Sequence, residues 1–361
     1  MTKKILLNAL HTTTGGGLIY LQNILPYIAE DKRFNFTLLV PPAGLKKLEV
    51  PKNVTVWQAP ALGFAAGHLW EQLVLPFAAR GYDAMWCNAN YVPLLARGAI
   101  PTIHTTPRAA AQAQSFGMKL YWWGVTWLTR LSIWRAPAVL GVTTQVMRDF
   151  TPNLRKARVA PAGAPQVKGK TTKVPRLVVA VGDYYPQKNY PELLRALKLL
   201  HRQVPGVRLE IIGRPVDPTV AKLVKHHIGA LGLHKTVKET GPLPHDRLLK
   251  RLAQAQVFVT LSKAEAFNMP VLEALAVGTP VVAGESAVLR DEIAGTAAVY
   301  VPLDGGGDVA QAVATALHGV LLNPGLAATL VRAGRKQAAK FGWEKTARTI
   351  THTLADVLAS R

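Results

Sequence analysis

Short runs of apolar residues alternate along this chain with stretches whose apolar positions recur at helical spacing. Lys4–Asn8, Asn35–Val40, Val54–Trp57, Ala84–Asn88, Pro101–His104 and Ala138–Val142 read as buried strands. Leu18–Ile28 is the first amphipathic helix, and Gly163–Pro175 lacks apolar periodicity and carries turn formers, which predicts a linker. A second series begins at Arg176–Gly182 and continues through Val257–Leu261, Pro280–Ala283 and Ala298–Val301. Strand and helix in alternation predict doubly wound parallel sheets. The expected fold class is therefore α/β, with an N-terminal Rossmann-like domain over 1–165, a linker over 166–175, a second Rossmann-like domain over 176–340 and a final segment over 341–361. No repeat of 20 to 50 residues and no low-complexity tract interrupts the pattern.

The most informative stretch is Ser262 to Val282. An apolar strand runs into a polar loop carrying Glu265, Pro270 is expected to open a helix, and Pro280–Ala283 returns as a strand. That order puts the loop at the carboxyl end of a parallel strand, where open α/β sheets bind ligands. Backbone N–H groups of residues 267 to 272, Phe267 and Met269 among them, would favour an anion there. Glu265 in the loop and Glu273, expected in the first helical turn, suit the hydroxyls of a sugar. An anion beside a polyol means a nucleotide, a sugar phosphate or both. The alternative is a solvated Glu265 and a Glu273 that complements the helix dipole.

Glu265 and Glu273, with the intervening A-F-N-M-P-V-L and the following A-L-A-V-G-T-P-V-V, resemble the E-x7-E motif of family-4 retaining glycosyltransferases. Ala266 and Asn268 stand where that family has glycines. The resemblance continues through Leu289–Glu292, Asp304–Gly305 and Phe341–Ala347. It implies a GT-B fold, two Rossmann-like domains facing a central cleft, with the last helix crossing back to the first domain. It also implies transfer of a sugar from a nucleotide diphosphate sugar to an acceptor hydroxyl, with retention and without a metal; no Asp-x-Asp metal motif is present. Glu265, Lys188 and His104 would be catalytic. Glu273 would hold the ribose and Phe267, Asn268 and Met269 would line the donor site. No cofactor is expected beyond the donor substrate.

Three further places gain meaning from the same resemblance. Gly15–Gly17 is either a flexible turn or a loop that a ligand can approach closely; the resemblance favours the second and makes Gly16 and Gly17 donor-facing. His104 ends its strand, where the family commonly places a His near the donor sugar. After Gly182 the family has an Arg, and five residues later a Lys, both gripping the diphosphate. Lys188 matches that pattern, Asp183 does not, and Arg214 is the candidate to compensate.

Charge and composition narrow the rest. Lys and Arg number 43 against 21 Asp and Glu, and no acid occurs between Asp83 and Asp149, where Arg97, Arg108, Lys119, Arg130, Arg135 and Arg148 lie. A one-sided basic surface implies an anionic partner. Residues 116–135 hold four of the eight tryptophans with cationic flanks, the composition of an interfacial helix on an anionic membrane, although a core helix is the alternative. The apolar run is too short to span a bilayer. Cys87 is the only cysteine and no secretory signal is visible, so a cytoplasmic enzyme, peripheral on the inner face of the membrane, is expected. A lipid-linked or polysaccharide acceptor fits that place. A nucleotide-sugar epimerase, hinted at only by His104 and His11, and a non-catalytic nucleic-acid-binding protein are the rivals. The compact Trp cluster argues against nucleic acid.

Overall fold

The computed structural model describes residues 2–107, 116–166, 169, 171–304 and 306–360. Arg108 and Gly305 fall outside them. The chain divides into two compact units, Met1–Gly163 with Phe341–Arg361, and Ala164–Lys340. Counting helices of nine residues or more, the elements are α1 Gly15–Ala29, α2 Phe64–Leu73, α3 Phe116–Arg135, α4 Tyr190–Gln203, α5 Pro218–Ala230, α6 His245–Gln254, α7 Met269–Val277, α8 Val309–Leu322, α9 Pro324–Ala338 and α10 Trp343–Ala359.

Unit 1 is built on a sheet of β1 Lys3–Asn8, β2 Phe34–Val40, β3 Thr55–Gln58, β4 Ala84–Cys87, β5 Ala99–Ile103, β6 Val139–Gly141 and β7 Ala157–Val159. Their order is β3-β2-β1-β4-β5-β6-β7 and every pair is parallel. Ile5, Leu6 and Leu7 of β1 are all buried, as expected of a strand covered on both faces. Trp86 is fully buried and its indole N–H donates to Thr102 Oγ1 at 2.7 Å, so the ring fills the core without stranding its donor. The order reverses between β1 and β4, which opens a crevice at their carboxyl ends.

Unit 2 repeats the scheme with β8 Leu177–Val181, β9 Arg208–Ile212, β10 Val237–Glu239, β11 Val257–Thr260, β12 Val281–Gly284 and β13 Ala298–Val301. The order is β10-β9-β8-β11-β12-β13, again wholly parallel. Its six strands follow the same winding as the first six of unit 1, so the switch point lies between β8 and β11. Leu193, Leu194 and Leu197 of α4 share one core with Val313, Leu317 and Val320 of α8.

The last helix belongs to unit 1. Trp343 meets Tyr20 of α1 edge-on at 5.3 Å, and Thr346 Oγ1 donates to Pro161 O at 2.7 Å. Arg158 closes the far end on Asp356 at 2.6 Å. A Cβ at Gly163 would sit 2.5 Å from Trp343 Cγ, so only glycine lets the chain pass this ring.

Helix α3 is turned inside out. Thr129 and Ser132 are fully buried, Thr129 bonding back to Val125 O at 2.7 Å and Ser132 Oγ accepting from Val92 N–H at 3.1 Å. Leu120, Trp123, Trp127, Leu131 and Trp134 are exposed, Trp134 to 75%. Their steps of three and four residues place them on one face. Leu69 and Leu73 of α2, with Phe77 and Leu95, are also exposed. Gln72 bonds to Val92 O and Leu94 N–H, and Arg135 to Leu94 O, which ties α2 and the end of α3 to the segment 92–94. Among the described residues no single helix is long and apolar enough to cross a membrane.

Candidate active site

In unit 2 the crevice between β8 and β11 gathers the carboxylates and cations that the sequence singled out. Helix α7 starts at Met269, so Pro270 is its second residue rather than its first, and Glu273 lies one residue further in than expected, just past the first turn. The N–H of Val271 is taken by Asn268 O at 3.1 Å and Pro270 has none, so the expected row of donors over 267 to 272 is shorter than the sequence suggested. Asn268 precedes the helix with φ 71° and ψ 68°. This left-handed conformation explains why the related motif uses glycine here and why Asn, among the residues best able to adopt it, can replace it. Phe267 is buried behind the loop and Met269 half-buried.

Glu273 is 3% exposed. Its Oε1 holds His245 Nε2 at 2.8 Å, while Oε2 is buried without a hydrogen-bond partner among the described residues. A buried carboxylate oxygen with no donor costs on the order of 1–3 kcal/mol, and a ligand hydroxyl would remove that cost. The hydrogen bond to Glu273 outweighs the desolvation of His245 and raises the imidazole pKa. His245 opens α6, 28 residues before Glu273. Nothing in its local sequence marks it, and only the fold brings the two together.

Lys188 closes a short turn, Pro186–Lys188, ahead of α4. Its ammonium reaches Glu265 Oε1 at 2.6 Å, both side chains being mostly buried. Gly182 provides the clearance: a Cβ there would lie 2.8 Å from Lys188 Cε. Gly213 is tighter still, since its Cβ would come within 2.0 Å of Gly182 O. Arg214 is not a spare cation. Its backbone N–H donates to Asp183 Oδ1 at 2.8 Å and its Nε to Oδ2 at 3.1 Å. The residue that departs from the related pattern is thus the one that neutralises the proposed substitute, because both sit at the ends of adjacent strands with complementary charge.

In unit 1 the crevice at the ends of β1 and β4 is a cavity of about 830 Å³ walled by Gly17, Asn88, Tyr91, His104, Tyr121 and Trp122, among others. Gly15–Gly17 form the first turn of α1 rather than a loop. Gly17 is on the cavity wall, whereas Gly16 is simply exposed. His104 Nε2 pairs with Asn88 Oδ1 at 2.8 Å, and Asn88 Nδ2 donates to Gly17 O at 3.1 Å, so the His anchors the start of α1. Burial pushes the His104 pKa down to about 4, so at neutral pH the ring is uncharged. It donates through Nε2, because the acceptor is an amide oxygen. His104 belongs to unit 1, and Lys188, Glu265, Glu273 and Arg214 to unit 2.

The sign of the His104 effect is testable. The unfolded chain takes up a proton near pH 6.5, and the folded chain only near 4. The stability from the neutral ring is therefore complete above 6.5 and falls as pH drops towards 4, by at most about 3 kcal/mol since one edge of the ring meets the cavity. Denaturant midpoints measured at pH 7 and 4.5 should fall more steeply for the native chain than for His104→Gln. Equal slopes would contradict the assignment.

Among the described residues no group of three His, Cys, Asp or Glu is placed to hold a metal ion.

Residues 166–337 match the family model described as glycosyl transferases group 1. The D-inositol 3-phosphate glycosyltransferase of Acidothermus cellulolyticus is 34% identical over 195 residues, 51% of this chain and 42% of that protein. The enzyme of the same name from Mycolicibacterium paratuberculosis is 32% identical over 204 residues, 55% of this chain and 42% of its own. The chain thus spans less than half the length of these relatives. Solved structures align over nearly the whole chain. Sucrose-phosphate synthase from Thermosynechococcus elongatus has TM-score 0.78 at 18% identity, covering 99% of this chain and 100% of its own. HepE of Anabaena in complex with UDP-glucose has TM-score 0.76 at 18% identity, covering 98% and 100%. WaaG, a glycosyltransferase involved in lipopolysaccharide biosynthesis, has TM-score 0.74 at 14% identity, covering 97% and 99%. The fold is therefore that of the GT-B glycosyltransferases, and unit 2 is similar in sequence to the group 1 enzymes.

Proposed function

We propose that this chain is a retaining glycosyltransferase that moves a sugar from a nucleoside diphosphate sugar to a hydroxyl of a membrane-borne acceptor. One observation carries the donor half of the reading: the unpartnered, buried Oε2 of Glu273, one turn inside the helix that follows the Glu265 loop. A ribose hydroxyl is the donor that oxygen lacks. Glu265 takes hydroxyls of the donor sugar, and Lys188 exchanges part of its contact with Glu265 for the diphosphate, with the positive end of α7 adding to it. Charge that develops on the departing diphosphate is met by groups already in place, which is how such a site lowers a barrier. Departure and attack on one face of the sugar, with the leaving phosphate oxygen taking the acceptor's proton, is the course that the E-x7-E resemblance implies, and it needs no metal.

Unit 1 takes the acceptor. Its cavity is walled by aromatic rings that can stack on sugars, and the outward face of α3 supports an anionic membrane as the acceptor's source. Arg130 lies over Trp127 at 5.4 Å and Arg80 over Phe77 at 4.7 Å, cations beside rings on a surface whose sequence carries no acid from 84 to 148. Rings at headgroup depth with Arg toward acidic lipid is the arrangement of an interfacial helix. This arrangement supports a position on the inner face of the cell membrane, and it favours lipid over nucleic acid as the anionic partner.

Thermal unfolding across a panel of nucleotides and nucleotide sugars tests the donor site, beginning with UDP and UDP-glucose. One nucleotide series should raise Tm by several degrees at about 100 times its Kd. Glu273→Ala should abolish that rise. Absence of any shift up to millimolar nucleotide would remove the reading. The anomeric configuration of the product, read by NMR, separates retention from inversion.

A further inference from the structure

Glu71 is the one carboxylate among the described residues whose side chain is wholly excluded from solvent, and it lies in unit 1 behind the cavity wall. Burying a carboxylate costs several kcal/mol unless donors surround it, and a glutamine would fill the same space without the charge. Two donors converge on it: Asn8 Nδ2 at 2.6 Å on Oε1 and His11 Nε2 at 2.8 Å on Oε2. Asn8 cannot reverse, because its Oδ1 accepts from the Leu10 N–H at 3.2 Å. His11 follows β1 at the switch point, lines the cavity, and is stacked at 4.2 Å on His68, one turn before Glu71 on α2.

The consequence is a fixed hydrogen-bond polarity. A carboxylate accepts only, so the proton of a neutral His11 ring must sit on Nε2, and the lone pair is then on Nδ1. Among the described residues no group hydrogen-bonds that nitrogen. We propose that His11 Nδ1, held as an acceptor by the buried Glu71, receives a hydroxyl of the acceptor glycan in the unit 1 cavity and so selects its orientation. His11 is in this sense a specificity-determining residue and Glu71 a positioning residue that acts through it. The proposal rests on the transferase reading above and names the group by which unit 1 recognises its substrate.

Glu71→Gln makes the idea sharp because it changes polarity more than shape. With Asn8 fixed as a donor to the amide oxygen, the amide NH₂ faces His11 and asks Nε2 to accept. The ring proton then moves to Nδ1, and the cavity presents a donor where it had an acceptor. Histidine-labelled protein examined by long-range ¹⁵N–¹H NMR reads the tautomer directly, with n-octyl β-D-glucopyranoside below its micelle concentration as the probe. The native chain should show His11 as the Nε2–H tautomer, with a saturable shift of Nδ1 on adding the glucoside. Glu71→Gln should show Nδ1–H and bind the glucoside at least about 10-fold more weakly, the loss of one well-made hydrogen bond. His11→Gln, a surface-accessible change, serves if Glu71→Gln does not fold, and should weaken the glucoside similarly. A native Nδ1–H tautomer, or an Nδ1 signal indifferent to glucoside, overturns the proposal. Nucleotide-induced stabilisation is read on the same samples. Nucleotide binding with an indifferent Nδ1 removes this proposal alone, whereas glucoside binding at Nδ1 without any nucleotide effect leaves a glycoside site and removes the transferase reading.

Discussion

Lys188→Ala should lower the rate of sugar transfer by about 10³-fold while weakening nucleotide binding far less. Removal of one preorganised group that meets charge developing in the transition state costs about 10²–10³ in rate. Two features of this site push the loss to the upper end. Arg214, the cation that the sequence offered as a substitute, is committed to Asp183 through both backbone and side chain. And without the ammonium, Glu265 Oε1 loses the cation that sits 2.6 Å from it, beside the place of the departing diphosphate. Arginine is no remedy, since the lysine stem runs against Gly182 so closely that a Cβ would meet it at 2.8 Å, and a planar guanidinium does not follow that path. Steady-state donor consumption at saturating donor measures the effect. A loss smaller than 10-fold would show that the diphosphate is stabilised elsewhere.

The second large effect concerns the inverted helix. Trp123→Ser, Trp127→Ser and Trp134→Ser combined should reduce binding to vesicles containing anionic phosphatidylglycerol by at least about 10²-fold. The exposed part of each indole offers ~100 Å² of apolar area, ~2.5 kcal/mol at 25 cal/mol/Å². Three rings give an upper bound well above the ~3 kcal/mol that a 100-fold change requires. Because these side chains already face water, Tm should hold or rise, which separates loss of docking from loss of fold. Raising salt should weaken the native chain's binding by screening the Arg component. Vesicle co-sedimentation unchanged in the triple variant would mean that the apolar stripe is not what meets lipid.

Much of the architecture is legible in the sequence because its signals are local. Buried parallel strands are continuous apolar runs, so Lys4–Asn8 and Val257–Leu261 announce β1 and β11 to within a residue or two. The glycine demanded at 268 by the related motif is itself a statement about backbone, and Asn268 at φ 71° answers it. What is not legible depends on distance along the chain. His245 lies 28 residues before Glu273, Asp183 31 before Arg214, and Glu71 60 after His11, and no periodicity connects such pairs. The orientation of α3 is hidden for a different reason. A helical stripe of Leu and Trp reads the same whichever face is turned inward, and only the burial of Thr129 and Ser132 decides it. The start of α7 shifted Glu273 out of the first turn because Pro at the second helical position is as acceptable to the backbone as Pro at the first.

The place of α10 has a consequence for how the molecule comes into being on the ribosome. Unit 2 is one uninterrupted length of chain, so it can complete its core while synthesis is still under way. Unit 1 cannot. The ring that packs edge-on against Tyr20 is Trp343, and the partners of Pro161 and Arg158 are Thr346 and Asp356. Helix α1 must wait, partly uncovered, until the segment that follows unit 2 has been made. The nascent first domain therefore passes through elongation as an open-sided intermediate with apolar surface on view, and its vulnerable interval is set by the time needed to translate the whole of the second.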